Sequence, residues 1–228
     1  MRAAIRAISS MATRELLAEL AAAHGERTGE AVQVVSVGGV DAARRVQAGE
    51  DFDLVVLASD AIDRLAAGGA VLPAKTDLVH SPVAVAVRAG AAVPDLDSED
   101  ALRRAVQAAG SIGYSTGPSG TALLRLFERW GLAAELQPRL VQAPPGVPVG
   151  ALVARGEAAL GFQQLSELIH VEGIAVAGVL PPAVAIVTTF SGAVCAGSPR
   201  AEAARRLLAF MASPDAGGAK RRQGMEPA

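Results

Sequence analysis

The feature of this sequence that most constrains its fold is a regular alternation of short apolar segments and helical segments over the first 70 residues. The predicted elements are, in order, strand 2–8, helix 11–24, strand 31–37, helix 40–48, strand 54–57 and helix 60–68. The run Leu54-Val55-Val56-Leu57 is apolar throughout, which is typical of a strand that is buried on both faces. This order predicts an α/β layer in which parallel strands are joined by right-handed crossovers.

A second stretch of alternating elements begins after His80-Ser81-Pro82. The predicted strands are 83–88, 111–114, 159–164 and 184–190, and the predicted helices are 98–109, 120–130, 148–155 and 199–212. We expect the last helix to pack on the first α/β layer. The expected organisation is therefore lobe I from 1–82 plus 185–228, an inserted lobe II from 83–184, and a hinge near 80–83 and 183–187.

Composition and charge exclude several classes of partner. Aromatic residues make up only 3% of the 228 residues, which argues against stacking platforms for bases or sugars. The net charge is −2 and no basic stripe is present, so nucleic acid is not an expected partner. The run Lys220-Arg221-Arg222 is interpreted as the last turn of a helix, where cations are favourable. No apolar run reaches the length of a membrane span.

Cysteine and histidine show no metal-binding pattern. Cys195 is the single cysteine and lies in an apolar segment, so we interpret it as an inert core thiol. His24, His80 and His170 are interpreted as surface residues, and no pair of them has metal-ligand spacing. We therefore predict no metal site.

Motifs for catalysis and cofactors are also missing from the sequence. There is no phosphate-binding loop and no dinucleotide fingerprint, so we predict no cofactor. The acidic pairs Glu99-Asp100 and Asp51/Asp53 are interpreted as helix-start and loop charges. The turn Gly117-Pro118-Ser119-Gly120 lacks the spacing of a nucleophile elbow. With no catalytic constellation, the sequence favours binding over turnover.

Three predicted strand-to-helix turns combine hydroxyl groups with glycine or free backbone N–H groups: Ser9-Ser10, Ser36 to Gly39, and Ser115 to Thr121. A helix N-terminus is an anion site, hydroxyls add neutral donors, and glycine permits close approach to the backbone. In open α/β sheets ligands bind at the carboxyl ends of strands, where these turns lie. The alternative is that the serines and threonines are ordinary helix caps.

Two further candidates lie beside these turns. Gln163-Gln164 ends an apolar strand, where an amide could reach an oxyanion, or it is a solvated strand end. Tyr114 precedes the third turn and is either a ligand contact or a structural tyrosine. The candidate ligand-binding residues are Ser9, Ser10, Ser36, Gly38, Gly39, Ser115, Thr116, Ser119, Gly120 and Gln163.

The order of these motifs resembles bacterial extracellular solute-binding proteins of the molybdate-binding type, which have the two-lobed type II periplasmic binding fold of ABC importers. The segments that carry the resemblance are Ser9-Ser10, Ser36-Val37-Gly38-Gly39, 53–59, 113–120, 155–167, 179–182, 213–216 and 224–227. The resemblance implies that two lobes, each a mostly parallel sheet flanked by helices, close on a tetrahedral oxyanion. It also implies an ABC permease as partner, a monomeric state and a periplasmic location.

The sequence departs from that family at three places. The second turn has Val37-Gly38-Gly39 where the family usually has a serine at the helix start. The stretch from Gln163 to Glu167 replaces a tyrosine-bearing segment, which suggests a small organic acid as ligand. No signal peptide is visible, so a chain that starts at Met1 is expected in the cytoplasm.

Two alternative functions therefore stay open at this point. The first is a cytoplasmic small-molecule sensor on the same fold. The second is a serine hydrolase that uses Ser119 as its nucleophile. The ligand of the solute-binding interpretation is either an inorganic oxyanion or an organic acid.

Overall fold

A computed structural model describes residues 4–228, and the chain divides into two compact units. The first unit comprises the chain up to His80 together with Thr189–Ala228, and the second comprises Ser81–Thr188. In chain order the elements are β1 (Ile5–Ser10), α1 (Arg14–Thr28), β2 (Val32–Val37), α2 (Gly39–Gln47), β3 (Leu54–Ala58), α3 (Ser59–Ala67), β4 (Val71–Arg88), α4 (Glu99–Ala108), β5 (Ile112–Tyr114), α5 (Pro118–Arg129), α6 (Ala133–Leu136), β6 (Leu140–Gln142), α7 (Val149–Ala154), β7 (Leu160–Gln164), α8 (Leu165–Leu168), β8 (Ile174–Val179), β9 (Val187–Cys195), α9 (Ala201–Ala212), α10 (Gly217–Arg222) and β10 (Glu226–Pro227).

The first unit contains a sheet with the strand order β2-β1-β3-β9-β4, and β10 pairs with β4. β1 is parallel to both β2 and β3, as the strand–helix–strand order predicts, whereas β9 is antiparallel to β3. Every residue of β3 is buried, which confirms that this strand is covered on both faces. Leu17 and Leu207 belong to the core on one face, and Val46 and Ile62 belong to the core on the other.

The second unit contains a sheet in which β7 lies between β4 and β5, and β6 forms an edge. β5 is parallel to β6 and β7, whereas β4 is antiparallel to both β7 and β8. Its core is built around Phe127, which makes an edge-on contact with Phe162 and a tilted contact with Trp130. The two units thus each have an α/β layer, which confirms the predicted fold class.

Several predicted boundaries are wrong. β4 begins at Val71, twelve residues before the strand predicted at 83–88, because its first part alternates irregularly between buried and exposed positions. The first helix continues to Thr28, and Gly29 ends it with a φ of 70°. The strand predicted at 184–190 is β9, which starts later and runs to Cys195. Residues 2 and 3 of the first predicted strand lie outside the described residues.

The predicted helical role of the basic run at the C-terminus is confirmed, because Lys220 to Arg222 form the last turn of α10. Lys220 itself is buried, and burial lowers its pKa. Among residues 4–228, no helix is both long and apolar enough to cross a membrane.

Candidate functional site

Parallel pairing brings the serines of β1 and β2 to the same edge of the first unit's sheet. In the register of these strands Ser9 lies opposite Ser36, and Ser10 lies opposite Val37. The Ser9 and Ser36 hydroxyl oxygens are 2.8 Å apart, and Ser9 also donates to the Ser10 carbonyl at 3.2 Å. A hydroxyl has one proton, so Ser9 accepts from Ser36 when it donates to that carbonyl. We call Ser9, Ser10, Ser36, Gly38 and Gly39 the first carboxyl edge.

The Ser10 side chain is the unusual member of this group. It is 8% exposed, and among the described residues its Oγ is the only fully buried side-chain N or O atom that lacks a hydrogen-bond partner. An unsatisfied buried hydroxyl destabilises a protein by about 1–3 kcal/mol. Such an atom calls for an explanation, and a bound ligand is one that would satisfy it.

The helices that begin at this edge have no side-chain caps. The N-cap of α2 is Gly38 and that of α3 is Ala58, so neither helix receives a capping hydrogen bond from a side chain. Away from this edge, in the second unit, Ser98 caps α4 by accepting from the Ala101 N–H at 3.1 Å. The first-turn N–H groups of α2 and α3 therefore remain donors without a side-chain acceptor.

The two glycines of the first carboxyl edge leave space beside Ser10. A Cβ on Gly39 would lie 3.8 Å from the Ser10 Cβ, and a Cβ on Gly38 would have no heavy atom within 4 Å. The open space, the N-terminus of α2 and the unpartnered hydroxyl thus occur together. These three properties fit a small anion.

Sequence reasoning missed a cation at this end of the sheet. Lys75 on β4 donates to the Ser59 hydroxyl and to the Asp63 carboxylate, each at 2.7 Å. Ser59 is the first residue of α3, and the cap position is Ala58. No local pattern marks Lys75, because it lies in the irregular first part of β4.

The second unit has a comparable edge where β5 and β7 end. Tyr114 is paired with Phe162 in the parallel register, so Ser115 and Gln163 follow on neighbouring strands. The Ser115 and Ser119 hydroxyl oxygens are 3.0 Å apart. The N-cap of α5 is Gly117, which provides no side-chain cap, and Thr116 is exposed beside it. We call Ser115 to Gly120, Gln163 and Glu167 the second carboxyl edge.

The capping alternative fails at all three hydroxyl-and-glycine turns. None of the helical segments that begin at Met11, Gly39 and Pro118 receives a side-chain capping hydrogen bond. The serines pair with one another instead, except for Ser10.

The structure explains why position 120 is a glycine, and the explanation is not the ligand contact that the sequence predicted. A Cβ at this position would lie 1.9 Å from the Ser115 carbonyl oxygen and 3.2 Å from Cδ2 of Tyr114. The missing side chain therefore lets the turn fold back onto α5. The space is filled by the protein's own backbone, not left open for a ligand.

Gln163 is buried, and its amide is engaged on both sides. Its Oε1 accepts from the Val149 N–H at 2.7 Å, and its Nε2 donates to Glu167 Oε1 at 2.8 Å. Gln164 is also buried; its amide oxygen accepts from the Thr188 hydroxyl at 2.8 Å and its nitrogen donates to the Ser81 carbonyl at 2.9 Å. Neither glutamine is a solvated strand end, so that alternative is wrong.

Glu167 is the residue of the second carboxyl edge that sequence reasoning missed. Burial raises the pKa of its carboxyl to about 7, and the hydrogen bond from Gln163 opposes that shift. A signal was available in the sequence, because Gln163 and Glu167 are four residues apart and α8 begins between them.

The other titratable candidates have structural roles. His24 was predicted at the surface but is 3% exposed and lies 3.2 Å from Glu30. Asp53 was predicted as a loop charge but is fully buried, where it accepts from the Arg6 N–H, Ser198 and Arg200. Burial alone would raise its pKa, but these three donors outweigh burial and hold the pKa below its usual value.

The prediction of an inert thiol at Cys195 is confirmed, since the residue is buried and burial raises its pKa to about 12. Within residues 4–228, no group of three or more His, Cys, Asp or Glu residues is arranged to hold a metal ion. Ser119 is hydrogen-bonded to Ser115, and no histidine among the described residues pairs with it.

Two cavities of the first unit lie away from the serines of the first carboxyl edge. One, of about 410 Å³, is lined by residues that precede β3 and follow β9, including Phe52 and Ser198. The other, of about 480 Å³, includes Glu30, Arg200 and Arg206. Because β9 is antiparallel to β3, the first of these cavities lies at the amino end of β3, opposite the carboxyl ends that carry the serines.

Comparison with known proteins identifies the class. Residues 5–226 match the family of bacterial extracellular solute-binding proteins, and the chain belongs to this family. The fold is the two-lobed type II periplasmic binding fold, as predicted, and solved structures at low sequence identity share it. They include the periplasmic molybdate-binding protein of Azotobacter vinelandii (TM-score 0.80, 20% identity, 97% of this chain and 98% of that one) and a sulfate-binding protein of Mycobacterium tuberculosis (TM-score 0.81, 18% identity, 100% and 88%).

A relative of higher sequence identity carries a different kind of name. An aconitate isomerase from a Pseudomonas species is 39% identical over 227 residues, covering 96% of this chain and 86% of the relative. The relative is named as an enzyme, whereas the family is one of solute-binding proteins.

Proposed function

We propose that this protein binds a small, multiply charged anion at its carboxyl edges and does so without changing it chemically. The observation that carries the proposal is the buried Ser10 hydroxyl, which has no partner and lies beside the uncapped N-terminus of α2. The serine pair and uncapped helix of the second carboxyl edge add support. Hydroxyl and backbone donors stabilise an ionised ligand by about 1.5–3 kcal/mol for each hydrogen bond.

A small organic acid is the ligand class that we favour over an inorganic oxyanion. The relative at 39% identity is named for aconitate, which is a tricarboxylate, whereas the molybdate- and sulfate-binding structures are at most 20% identical. The carboxylates of such an acid are planar acceptors that suit paired hydroxyls and first-turn N–H groups.

The proposal is tested by a thermal-shift panel of aconitate, tricarballylate, molybdate and sulfate, followed by calorimetry. A bound ligand raises the melting temperature by mass action. We expect the tricarboxylates to give the largest shifts. A panel in which no anion raises the melting temperature would refute anion binding, and a shift with molybdate alone would refute the organic-acid class.

A second candidate function is isomerisation of an unsaturated carboxylic acid. The observation that favours it is the relative's name together with Glu167, whose pKa of about 7 suits proton transfer near neutral pH. The test is to incubate the protein with cis-aconitate and follow the appearance of trans-aconitate by proton NMR. Conversion above the rate in buffer would replace the binding proposal with this one.

Transport is the role that we propose for the binding. The family is one of extracellular solute-binding proteins, which supports a periplasmic location and delivery of the ligand to an ABC permease. We also propose that the protein acts as a monomer. The alternative is a cytoplasmic sensor. Release of the native protein by osmotic shock of its source cells would support transport, and retention with the cytoplasmic fraction would support sensing.

A further inference from the structure

The side chain of Glu167 is held in one orientation by two successive hydrogen bonds. The Val149 N–H can only donate, so it fixes the Gln163 amide with its oxygen toward Val149. The Gln163 NH2 group therefore points at Glu167 Oε1, at 2.8 Å. Gln163 is the hydrogen-bond partner found for the Glu167 carboxyl, and Glu167 Oε2 receives no hydrogen bond from residues 4–228.

Among residues 4–228, no cation lies close enough to Glu167 to lower the pKa of its carboxyl. α8 packs on β7 and α7, and neither element contains a charged side chain. Leu165 and Leu168 pack against apolar residues of β4 and β8. The remaining titratable groups along these elements are Lys75, Asp77, His80 and Arg88 of β4, and His170 and Glu172 after α8. None of them contributes to the raised pKa of Glu167.

The position of Glu167 matters because its hydrogen-bond partner lies at the binding edge. Gln163 follows Phe162, which is paired with Tyr114, so Gln163 is the neighbour of Ser115. Two glycines, Gly113 and Gly161, bring α7 close to this face of the sheet, since a Cβ on either would lie within 3.0 Å of a valine of α7. The bonds from Val149 through Gln163 to Glu167 therefore lie at the carboxyl end of β7, the strand that pairs with β5 just before the turn of Ser115 and Ser119.

The protonation state of Glu167 would affect the binding of an anion at this edge, and this inference rests on the proposed function. An ionised carboxylate next to a bound anion repels it, whereas a carboxylic acid donates a hydrogen bond to it. We propose that Glu167 is a further ligand-binding residue, which binds the anion as a neutral carboxylic acid through its Oε2–H. When Glu167 is ionised in the free protein, one proton is then taken up from solvent for each anion bound, and no covalent bond to the ligand is made or broken.

Proton uptake makes affinity depend on pH in a defined way. Burial already raises the pKa of Glu167 to about 7, so the acid is present at neutral pH before any ligand arrives. Above the pKa the carboxylate must be protonated on binding, and the affinity falls about tenfold for each pH unit.

The experiment is calorimetric titration of tricarballylate and sulfate into the whole protein between pH 7 and pH 9, in buffers of different ionisation enthalpy. The carboxylates of tricarballylate are ionised over this range. The variants are Glu167→Gln, which cannot ionise but keeps a hydrogen-bond donor, and the control Glu157→Gln, an exposed carboxylate of the same unit. Trp130 fluorescence, the single tryptophan signal, verifies that the second unit is folded.

We expect the affinity of the wild type and of Glu157→Gln to fall about fiftyfold across these two pH units, with proton uptake that rises from about one half at pH 7 to about one at pH 9. Glu167→Gln should bind with an affinity that does not change with pH and should bind more tightly than the wild type at pH 9. A wild-type affinity independent of pH would overturn the inference and leave the proposed function standing. A folded Glu167→Gln protein that follows the wild-type pH profile, or that binds at no pH, would also overturn it. If neither probe binds any variant, the proposed function fails and this inference fails with it.

Discussion

Each of the two carboxyl edges contains a hydrogen-bonded pair of serine hydroxyls, but the two pairs are brought together in different ways. In the first, Ser9 and Ser36 come from neighbouring strands and are joined by the register of β1 and β2. In the second, Ser115 and Ser119 come from a single turn that closes onto α5. The first edge keeps a hydroxyl without a partner, and the second has a carboxyl of raised pKa. Both edges therefore have a pair of serine hydroxyls near the N-terminus of a helix that has no side-chain cap. They differ in the additional polar group, which is a hydroxyl in the first edge and a carboxyl in the second.

Replacement of a glycine by alanine should give the largest difference in stability between the two edges. Gly120→Ala places a Cβ 1.9 Å from the Ser115 carbonyl, a backbone clash that relaxation of a side chain cannot remove. We expect it to lower the free energy of unfolding by at least about 3 kcal/mol. Gly39→Ala meets only ordinary contacts and should be neutral or stabilising by up to about 1 kcal/mol. Urea denaturation followed by circular dichroism measures both.

The outcome for Gly38→Ala serves as the control, since its Cβ would have no heavy atom within 4 Å. Equal losses of stability in the alanine variants of Gly120 and Gly39 would show that the two edges are not built as described. Anion binding should weaken in Gly39→Ala, because the new methyl group lies beside Ser10.

The pH dependence of stability should have opposite signs in the two units. Glu167 has a raised pKa in the folded protein, so the native state holds a proton between about pH 4.5 and pH 7 that the unfolded chain has lost. Its stabilising contribution is present below this window and is lost as the pH rises through it. We expect the second unit to lose on the order of 2 kcal/mol between pH 5 and pH 8, after allowance for partial exposure. Urea denaturation followed by Trp130 fluorescence measures this unit, and Glu167→Gln should abolish the loss.

Asp53 gives the first unit the opposite behaviour. Its pKa is below the usual value in the folded protein, so its contribution is present above about pH 4 and is lost as the pH falls through the folded pKa. Asp53→Asn should reduce this acid sensitivity, as measured by amide exchange in β1 and β3. After correction for the intrinsic pH dependence of amide exchange, a first unit whose protection factors are no lower at pH 3 than at pH 6 would contradict this assignment.

Replacement of a serine by alanine should give the smallest effects on stability, and the effects should have opposite signs in the two edges. Ser10→Ala removes a buried hydroxyl that has no partner, so we expect the unliganded protein to gain about 1 kcal/mol. Ser119→Ala removes the partner of Ser115 and should cost about 1 kcal/mol. Thermal unfolding without ligand measures both. A loss of stability in Ser10→Ala would mean that the hydroxyl has a partner in solution.

Much of this fold could be predicted from the sequence, because apolar periodicity fixes the buried elements. β3 and the helices before and after it were predicted to within one or two residues, since their burial matches their pattern. The first part of β4 could not be predicted, because its exposure follows neither a strand nor a helix period. Its pairing depends on β9 and β10, which are more than one hundred residues away in sequence.

In the candidate site, the pairing of the serines could be anticipated from the sequence, whereas the environment of the charged groups could not. Hydroxyl-rich turns after strands are visible locally, and the register of β1 and β2 then brings Ser9 to Ser36. The burial of Asp53 and the environment of Glu167 depend on residues from several distant segments. A carboxylate in the sequence therefore indicates neither its exposure nor its pKa.

The measurement that tests the account most directly is calorimetric titration of tricarballylate into Ser10→Ala and Ser98→Ala. Ser98 caps α4, so its loss should reduce stability by about 1 kcal/mol and leave the affinity unchanged. Ser10→Ala should lose at least about tenfold in affinity with no loss of stability, since a hydrogen bond to a charged ligand is removed. A Ser10→Ala protein that binds as tightly as the wild type would contradict the assignment of the first carboxyl edge as an anion site.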